Sequence, residues 1–304
     1  MNPNAPQTRP AVAALNMIGA MLLLGFVDIY VAVIAQSISV WQFLCCRGVL
    51  AMALVWAMSR AGLGRLRPQR IWAVALRSAL IAIGMTFYFG ALAFMPIAQA
   101  LAGLFTSPIF VMLISGFVLR APIGPWRVVA VLIGFAGILT VLGLQDGLAG
   151  WIMLMPVAGG LFYACGSVAT RVLCAQEDTL SMLLGILLVQ TLLGAGALMV
   201  IAGLGIEGAA GAGGFLTRGW VWPMGSALWL VALQAVVSVL GVGLLIRAYQ
   251  LGEASQVSVL EYTIMIFGPF FGWLLMGQMI SMAQAFGIGL IAVSGVIIAL
   301  RSRS

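Results

Sequence analysis

The feature that most constrains this chain is a series of ten apolar stretches, each about as long as a helix needs to cross a bilayer, which is about 20 residues. The chain is 63% hydrophobic and 7% charged, which leaves too few charged groups to cover a soluble fold. We therefore predict an all-α membrane protein with ten transmembrane helices. The predicted helices lie near residues 13–35, 41–59, 72–93, 97–119, 127–144, 150–170, 180–203, 224–247, 255–276 and 283–300.

The arginines predict the orientation, because positive residues accumulate in the cytoplasmic segments of membrane proteins. If both termini are cytoplasmic, the loop arginines fall on the cytoplasmic side, with Arg218 as the exception. The cytoplasmic set is Arg9, Arg60, Arg65, Arg67, Arg70, Arg120, Arg127, Arg171, Arg247, Arg301 and Arg303. We expect an integral protein of a bacterial inner membrane, with a cytoplasmic N-terminal tail over residues 1–12 and a cytoplasmic C-terminus.

Two absences restrict the chemistry. The chain has no histidine, which excludes His-based catalysis and His metal ligands, and its cysteines form no CxxC pair. We therefore expect no cofactor and no metal. We also expect no nucleic-acid partner, because the arginines lie between apolar spans rather than on one basic face. A membrane enzyme would need a clustered acid–base or metal site, and a scaffold or sensor would need no charges inside the membrane. We predict that the protein is not an enzyme, and we keep a membrane enzyme and a non-transporting scaffold or sensor as alternative functions.

The two halves of the sequence resemble each other. Ala91–Leu119 and Ala248–Leu275 share an alanine-led helix end, a tight turn, a second alanine and a long apolar helix. We predict a first repeat over 13–144 and a second over 150–300. Because each repeat has an odd number of spans, the second copy enters the membrane inverted. Inverted repeats are typical of secondary transporters, whose substrate site lies near the midplane where the repeats meet.

Several motifs resemble the drug/metabolite transporter superfamily, EamA type. They are QFLCCRG in span two, SPIF after MPIAQA in span four, LEYTIMIFGPFFGWLLMGQ in span nine and the terminal GIGLIAVSGVIIAL. The resemblance implies a ten-helix carrier of a small organic solute. The segment RSALIAIGMTFYFGALAFMPIAQALAGLFTSPIF in spans three and four also resembles the branch with S-adenosylmethionine and riboflavin uptake carriers. The chain departs from the family at Ala121 and Gln278, where many members have an acid, and at Tyr262, where proline is common.

Four ionisable residues fall inside the predicted spans, where each charge costs at least about 2.5–3.5 kcal/mol and is a functional hypothesis by default. Asp28 and Arg47 lie almost equally far from the turn at 36–39, so we expect them to approach each other and to pair, either as a structural or as a functional ion pair. Arg77 and Glu261 also share a depth, and a contact between them would bridge the two halves. The alternative for Arg77 is that its side chain extends to the membrane interface.

Aromatic and amide side chains complete the predicted cavity, namely Tyr88, Tyr163, Gln234 and Tyr262. Small-molecule sites combine apolar and aromatic walls with a few polar groups. We expect the pathway to be lined by spans one, three, four, six, eight and nine, with Glu261 facing it. The predicted function is a secondary transporter that moves a small organic metabolite by alternating access. Its expected partners are the substrate and the lipid bilayer, with a homodimer as a further candidate.

Overall fold

The computed structural model describes residues 10–117, 125–142, 150–251 and 260–301. Within them the regular secondary structure is helical and no strand is found. The helices are α1 (Pro10–Asp28), α2 (Tyr30–Ile34), α3 (Val40–Arg60), α4 (Ile71–Ala91), α5 (Ile97–Leu104), α6 (Ser107–Phe117), α7 (Pro125–Leu142), α8 (Gly150–Leu173), α9 (Thr179–Gly203), α10 (Ser226–Leu251), α11 (Ile264–Met276) and α12 (Met282–Arg301). The N-terminal tail up to residue 9 and the departure at Ala121 lie outside the described residues.

These helices form ten spans. Six helices of the described chain are each long and apolar enough to cross a membrane, and four shorter apolar helices supply spans four, five, nine and ten. Span one consists of α1 and α2, span four of α5 and α6, and each other span of one helix, in chain order. The predicted fold class is therefore confirmed: an all-α membrane protein of ten helices in two inverted five-helix repeats.

The packing of the spans follows the inverted repeat. Span one packs on span eight as span six packs on span three, and span one contacts span nine as span six contacts span four. Spans two and seven pack together, and so do spans five and ten. If each span is exchanged with the span five positions away along the chain, each of these contacts becomes itself or another contact of the same set. The result is two interleaved groups, spans one, two, eight and nine and spans three, four, six and seven, each built from both repeats.

Glycines allow the spans to approach closely. A Cβ added at Gly84 in span three would lie 2.8 Å from the carbonyl oxygen of Gly159 in span six. A Cβ at Gly137 in span five would lie 2.7 Å from the carbonyl oxygen of Gly287 in span ten. Helices in lipid gain little from apolar burial against each other, so close backbone packing through small residues supplies much of their association.

Spans four and nine are both interrupted, at corresponding places in the two repeats. Span four breaks at Phe105 and Thr106, and span nine has a turn at Tyr262 and Thr263 just before α11. Each threonine hydroxyl donates to the carbonyl oxygen three residues earlier, at 2.7 and 2.6 Å respectively. The rings of Phe105 and Tyr262 lie 5.3 Å apart between centroids. The two interruptions therefore meet inside the bundle.

At one end of the bundle, the connection between spans seven and eight packs on the turn between spans one and two. The Arg218 guanidinium donates to the carbonyl oxygens of Ala35 and Ile38 at 3.3 and 3.2 Å. The backbone N–H of Val40 donates to the carbonyl oxygen of Phe215 at 2.8 Å, and the Phe215 side chain is fully buried. Arg218, the exception to the predicted charge asymmetry, thus bonds to the last carbonyls around α2, where a cation is favoured.

At the opposite end, the connection between spans two and three is held by carboxylates of the turn between spans six and seven. Glu177 accepts from the backbone N–H groups of Gln69 and Arg70 at 2.8 and 2.6 Å, directly before α4. Asp178 accepts from the backbone N–H of Arg65 at 2.9 Å. An anion is stabilised at a helix N-terminus, so Glu177 anchors the start of span three.

Candidate functional site

Within the described residues, the largest concentration of buried polar groups lies between spans one, two, three, seven and eight. We call it the polar cluster, and it consists of Asp28, Arg47, Tyr88, Gln190, Gln234 and Ser238. Asp28 is 7% and Arg47 is 8% exposed. Burying charged groups is costly unless they are paired or hydrogen-bonded, so the contacts within this cluster decide how it is stabilised.

Arg47 stands at the centre of the cluster. Its Nε–H donates to the Gln234 amide oxygen, and Nη1 donates to the Gln190 amide oxygen at 2.9 Å. A longer bond of 3.4 Å joins Nη2 to the Ser238 hydroxyl. A guanidinium has five N–H donors in a fixed planar arrangement, which matches neutral acceptors arriving from two neighbouring spans. Arg47 is therefore solvated mainly by amide oxygens of spans seven and eight.

Two phenylalanine rings border the guanidinium. The Arg47 Cζ lies 5.9 Å from the ring centroid of Phe43 and 5.2 Å from that of Phe89. Phe43 stands one helical turn before Arg47 on α3, so both side chains project from the same helix face. A cation over an aromatic face is stabilised by about 0.5–2 kcal/mol. The cluster thus combines a charged hydrogen-bond donor with flat apolar walls.

Asp28 reaches Arg47 through Gln234. One carboxylate oxygen of Asp28 accepts from the Tyr88 hydroxyl at 3.0 Å, and the other accepts from the Gln234 amide nitrogen at 3.4 Å. Among the described residues, this bridge takes the place of the Asp28–Arg47 ion pair expected from the sequence. The reason is tertiary: span one packs along span eight, and span eight also contacts span two. Gln234 of span eight therefore lies between the two ions.

A second group of predicted residues lies at the interrupted spans. Glu261 is half-buried and directly precedes the turn at Tyr262 and Thr263, after which α11 begins. Tyr163 of span six is within electrostatic range of Glu261 and of Arg77. Of the residues predicted from the sequence, four thus lie in the polar cluster and three lie around this interruption.

Arg77 belongs to neither group by direct contact. Its Nε donates to the Thr170 hydroxyl at 2.8 Å, and its Nη1 donates to the carbonyl oxygen of Met182 at 3.1 Å. In the part of the chain that the structure describes, these bonds to spans six and seven replace the predicted contact with Glu261. They also hold the guanidinium between helices, which differs from the alternative of extension to the membrane interface.

Four side chains at the site were not predicted from the sequence, namely Gln190, Ser238, Phe43 and Phe89. Gln190 carried a usable signal, since a lone amide in an otherwise apolar span must find a partner inside the bundle. The others carried none, because serine and phenylalanine are ordinary in apolar helices. Spans two and seven, which contribute Arg47 and Gln190, were also missing from the predicted lining.

A groove of about 340 Å³ lies elsewhere, between spans nine and ten. Its lining is apolar and consists of Met265, Ile266, Pro269, Phe270, Trp273, Ile280, Ala285 and Ile288. Several of these side chains are exposed on the outside of the bundle, among them Ile266 and Trp273. The groove shares no residue with the polar cluster, and none of these lining residues has a polar side chain that could orient a solute. The candidate site is therefore the polar cluster.

Comparison with known families identifies the kind of protein. Residues 11–143 and 150–300 each match the EamA-like transporter family. The chain belongs to this family. The EamA resemblance read from the sequence is thus confirmed, and the chain is an integral membrane protein of a family of transporters for small metabolites.

Several relatives of this EamA-like chain have curated names. It is 26% identical over 243 residues to a riboflavin transporter of Rhizobium johnstonii, covering 80% of this chain and 74% of the relative. It is 29% identical over 214 residues to a riboflavin transporter of Vibrio cholerae, covering 70% of this chain and 66% of the relative. A solved crystal structure superposes with a TM-score of 0.65 at 20% identity, covering 96% of this chain and 98% of the other, a similarity of fold alone.

Proposed function

We propose that this EamA-like protein is a secondary carrier that moves riboflavin, or a closely related flavin, across the membrane by alternating access. The names of the relatives from Rhizobium johnstonii and Vibrio cholerae support the flavin. The proposal includes cytoplasmic termini, repeats bounded at 13–144 and 150–300, and no enzymatic activity. The chain carries no P-loop motif, so the energy comes from an ion gradient, from exchange or from the substrate gradient.

The observation that carries this proposal is the buried Arg47–Gln234–Asp28 bridge between spans of both repeats. Ionisable groups inside a membrane are expensive and mark substrate or ion pathways. Carriers with inverted repeats bind their substrate where the repeats meet. The rings of Phe43 and Phe89 beside the guanidinium offer apolar faces for a planar heteroaromatic ring, since aromatic groups prefer offset stacking or edge-to-face contact.

The interrupted spans supply the second part of the proposed pathway. Non-helical backbone inside a membrane is tolerated where it is buried in protein or lines a cavity. The breaks at Phe105 and Tyr262 meet each other, and Glu261 and Tyr163 lie beside them. We place Glu261 on the pathway for this reason, as a group that binds a proton or a cationic part of the solute.

Flux into proteoliposomes tests the function. Purified protein is reconstituted, and the entry of radiolabelled riboflavin is compared for the native chain, Arg47→Gln and Thr140→Val. Thr140 is the matched control, because its hydroxyl donates to the carbonyl oxygen of Ala136 within its own helix, away from the polar cluster. We expect flux for the native chain and the control, and a loss of about tenfold or more for Arg47→Gln, since losing a charge-assisted hydrogen bond costs about 1.5–3 kcal/mol.

Two results would contradict the proposal. Flavin entry no faster than in empty liposomes, with a gradient in either direction, would reject the flavin. Native flux from a folded Arg47→Gln protein would move the site away from the polar cluster and toward Glu261.

A further inference from the structure

The side chain of Gln234 occupies an unusual place between two opposite charges. Its amide oxygen accepts from Arg47 Nε–H, while its amide nitrogen donates to Asp28. Both ions keep other partners. Arg47 is also bonded to Gln190, and the second carboxylate oxygen of Asp28 accepts from Tyr88. Gln234 is therefore the one member of the polar cluster that joins the cation to the anion.

The hydrogen-bonding requirements of Arg47 and Asp28 define which other chemical group could bind between them. Arg47 requires an acceptor, and Asp28 requires a donor, because a guanidinium only donates and a carboxylate only accepts. A carboxamide meets both needs through an oxygen and an N–H on one carbon. A cyclic amide or imide, such as the –CO–NH– edge of a pyrimidinedione ring, presents the same two atoms with the same separation. It adds a planar ring, which Phe43 and Phe89 can contact beside the guanidinium.

We propose that the Gln234 carboxamide occupies the position of the substrate while the carrier is empty. The carrier then selects a heterocycle whose –CO–NH– edge replaces this carboxamide between Arg47 and Asp28. On binding, the ring carbonyl accepts from Arg47 Nε–H, and the ring N–H donates to the Asp28 carboxylate. Gln190 and Tyr88 keep their bonds and hold the two ions in place. This inference rests on the proposed function, because it assumes that the polar cluster is the substrate site.

The ring N–H is the deciding atom. A ligand methylated on that nitrogen cannot donate to Asp28 and places a methyl group against the carboxylate. Leaving a buried acceptor without its donor weakens binding by about 10- to 100-fold. A site built around a hydrogen bond rejects the analogue that lacks it far more strongly than an apolar pocket rejects a missing methyl group.

Two pairs of probes test the inference on the purified native protein. The first pair is riboflavin and N3-methylriboflavin, and the second is uridine and N3-methyluridine, in which the same imide edge is carried by a different molecule. Binding is measured by titration calorimetry. We expect riboflavin to bind at least about tenfold more tightly than its methylated form, and the uridine pair to keep the same order at lower affinity.

The Asp28→Asn variant provides a second measurement. Its carboxamide can turn the amide nitrogen toward the ligand, so the preference for N–H over N–CH₃ should fall toward one, while Thr140→Val keeps the native preference. Equal affinity for the two flavins in the native protein would overturn the inference while leaving the proposed function intact. A failure of all four probes to bind would overturn it as well. Riboflavin flux in proteoliposomes remains the separate test of the proposed function.

Discussion

Removing the charges of the polar cluster one at a time should distinguish a bridged network from a direct ion pair. In Asp28→Asn the residue keeps an oxygen that can accept from Tyr88 and loses its charge. The carboxamide of Gln234 separates the two ions, and two unit charges separated by about one carboxamide and its hydrogen bonds attract each other by about 2 kcal/mol at an effective dielectric of about 20. We therefore expect Asp28→Asn to lower the free energy of unfolding by about 2 kcal/mol.

The double variant Asp28→Asn with Arg47→Gln should be less stable than the single one. Removing both charges relieves their desolvation, but the amide oxygens of Gln190 and Gln234 lose their donor. Each buried acceptor without a partner costs about 1–3 kcal/mol, and the contacts with the flanking rings are lost too. We expect a total loss of about 4 kcal/mol.

A direct ion pair makes the opposite prediction, because breaking one side of a buried pair costs about 3–5 kcal/mol and removing both sides is often nearly neutral. The assay is thermal unfolding of the purified variants in one detergent, with Thr140→Val as the control. At about 2 °C per kcal/mol, the melting temperature should fall by about 4 °C for Asp28→Asn and about 8 °C for the double variant. A double variant as stable as the single one, or more stable, would refute the bridged network.

Further variants test other parts of the structure. Gly84→Ala should destabilise the protein by about 1–3 kcal/mol, because its methyl group would meet the backbone of span six. Gly196→Ala has open space around its methyl group and should stabilise the protein by up to about 1 kcal/mol. Thermal unfolding measures both changes. Glu177→Gln should cost about 1 kcal/mol by weakening the anchor at the start of α4, and hydrogen exchange should increase at Gln69. Glu261→Gln should fold and lose flavin flux or its pH dependence, and unchanged flux at every pH would make Glu261 structural.

The sequence predicted the features that depend on local chemistry. Ten spans and an inverted repeat follow from apolar length and motif order, because each helix in lipid must satisfy its own backbone hydrogen bonds. The equal depth of Asp28 and Arg47 follows from counting residues from the turn between their helices. Arg218, the one loop arginine outside the set predicted to be cytoplasmic, bonds to the carbonyls of that same turn.

The features that depend on tertiary contacts could not be predicted. Span one lies against span eight, and no local pattern states which helix stands between two members of a hairpin. Gln234 was found as a polar group, while its position between two ions was not. Arg77 bonds to a backbone carbonyl, that of Met182, and every residue has such an acceptor, so the sequence contains no signal for the pairing.

The two ends of the bundle show how the inverted repeat relates the proposed carrier's openings. The turn and the connection that meet at Arg218 become, on exchange of the repeats, the turn and the connection that meet at Glu177. The exchange keeps the chain direction, but the two contacts are built differently: at one end an arginine of the connection donates to carbonyl groups of the turn, and at the other a glutamate of the turn accepts from N–H groups of the connection. A cation stabilises the first and an anion the second, and the two contacts share no residue. Under the proposed alternating access, each end needs contacts that can break while the other end stays closed, and two separate contacts of opposite charge would satisfy that requirement.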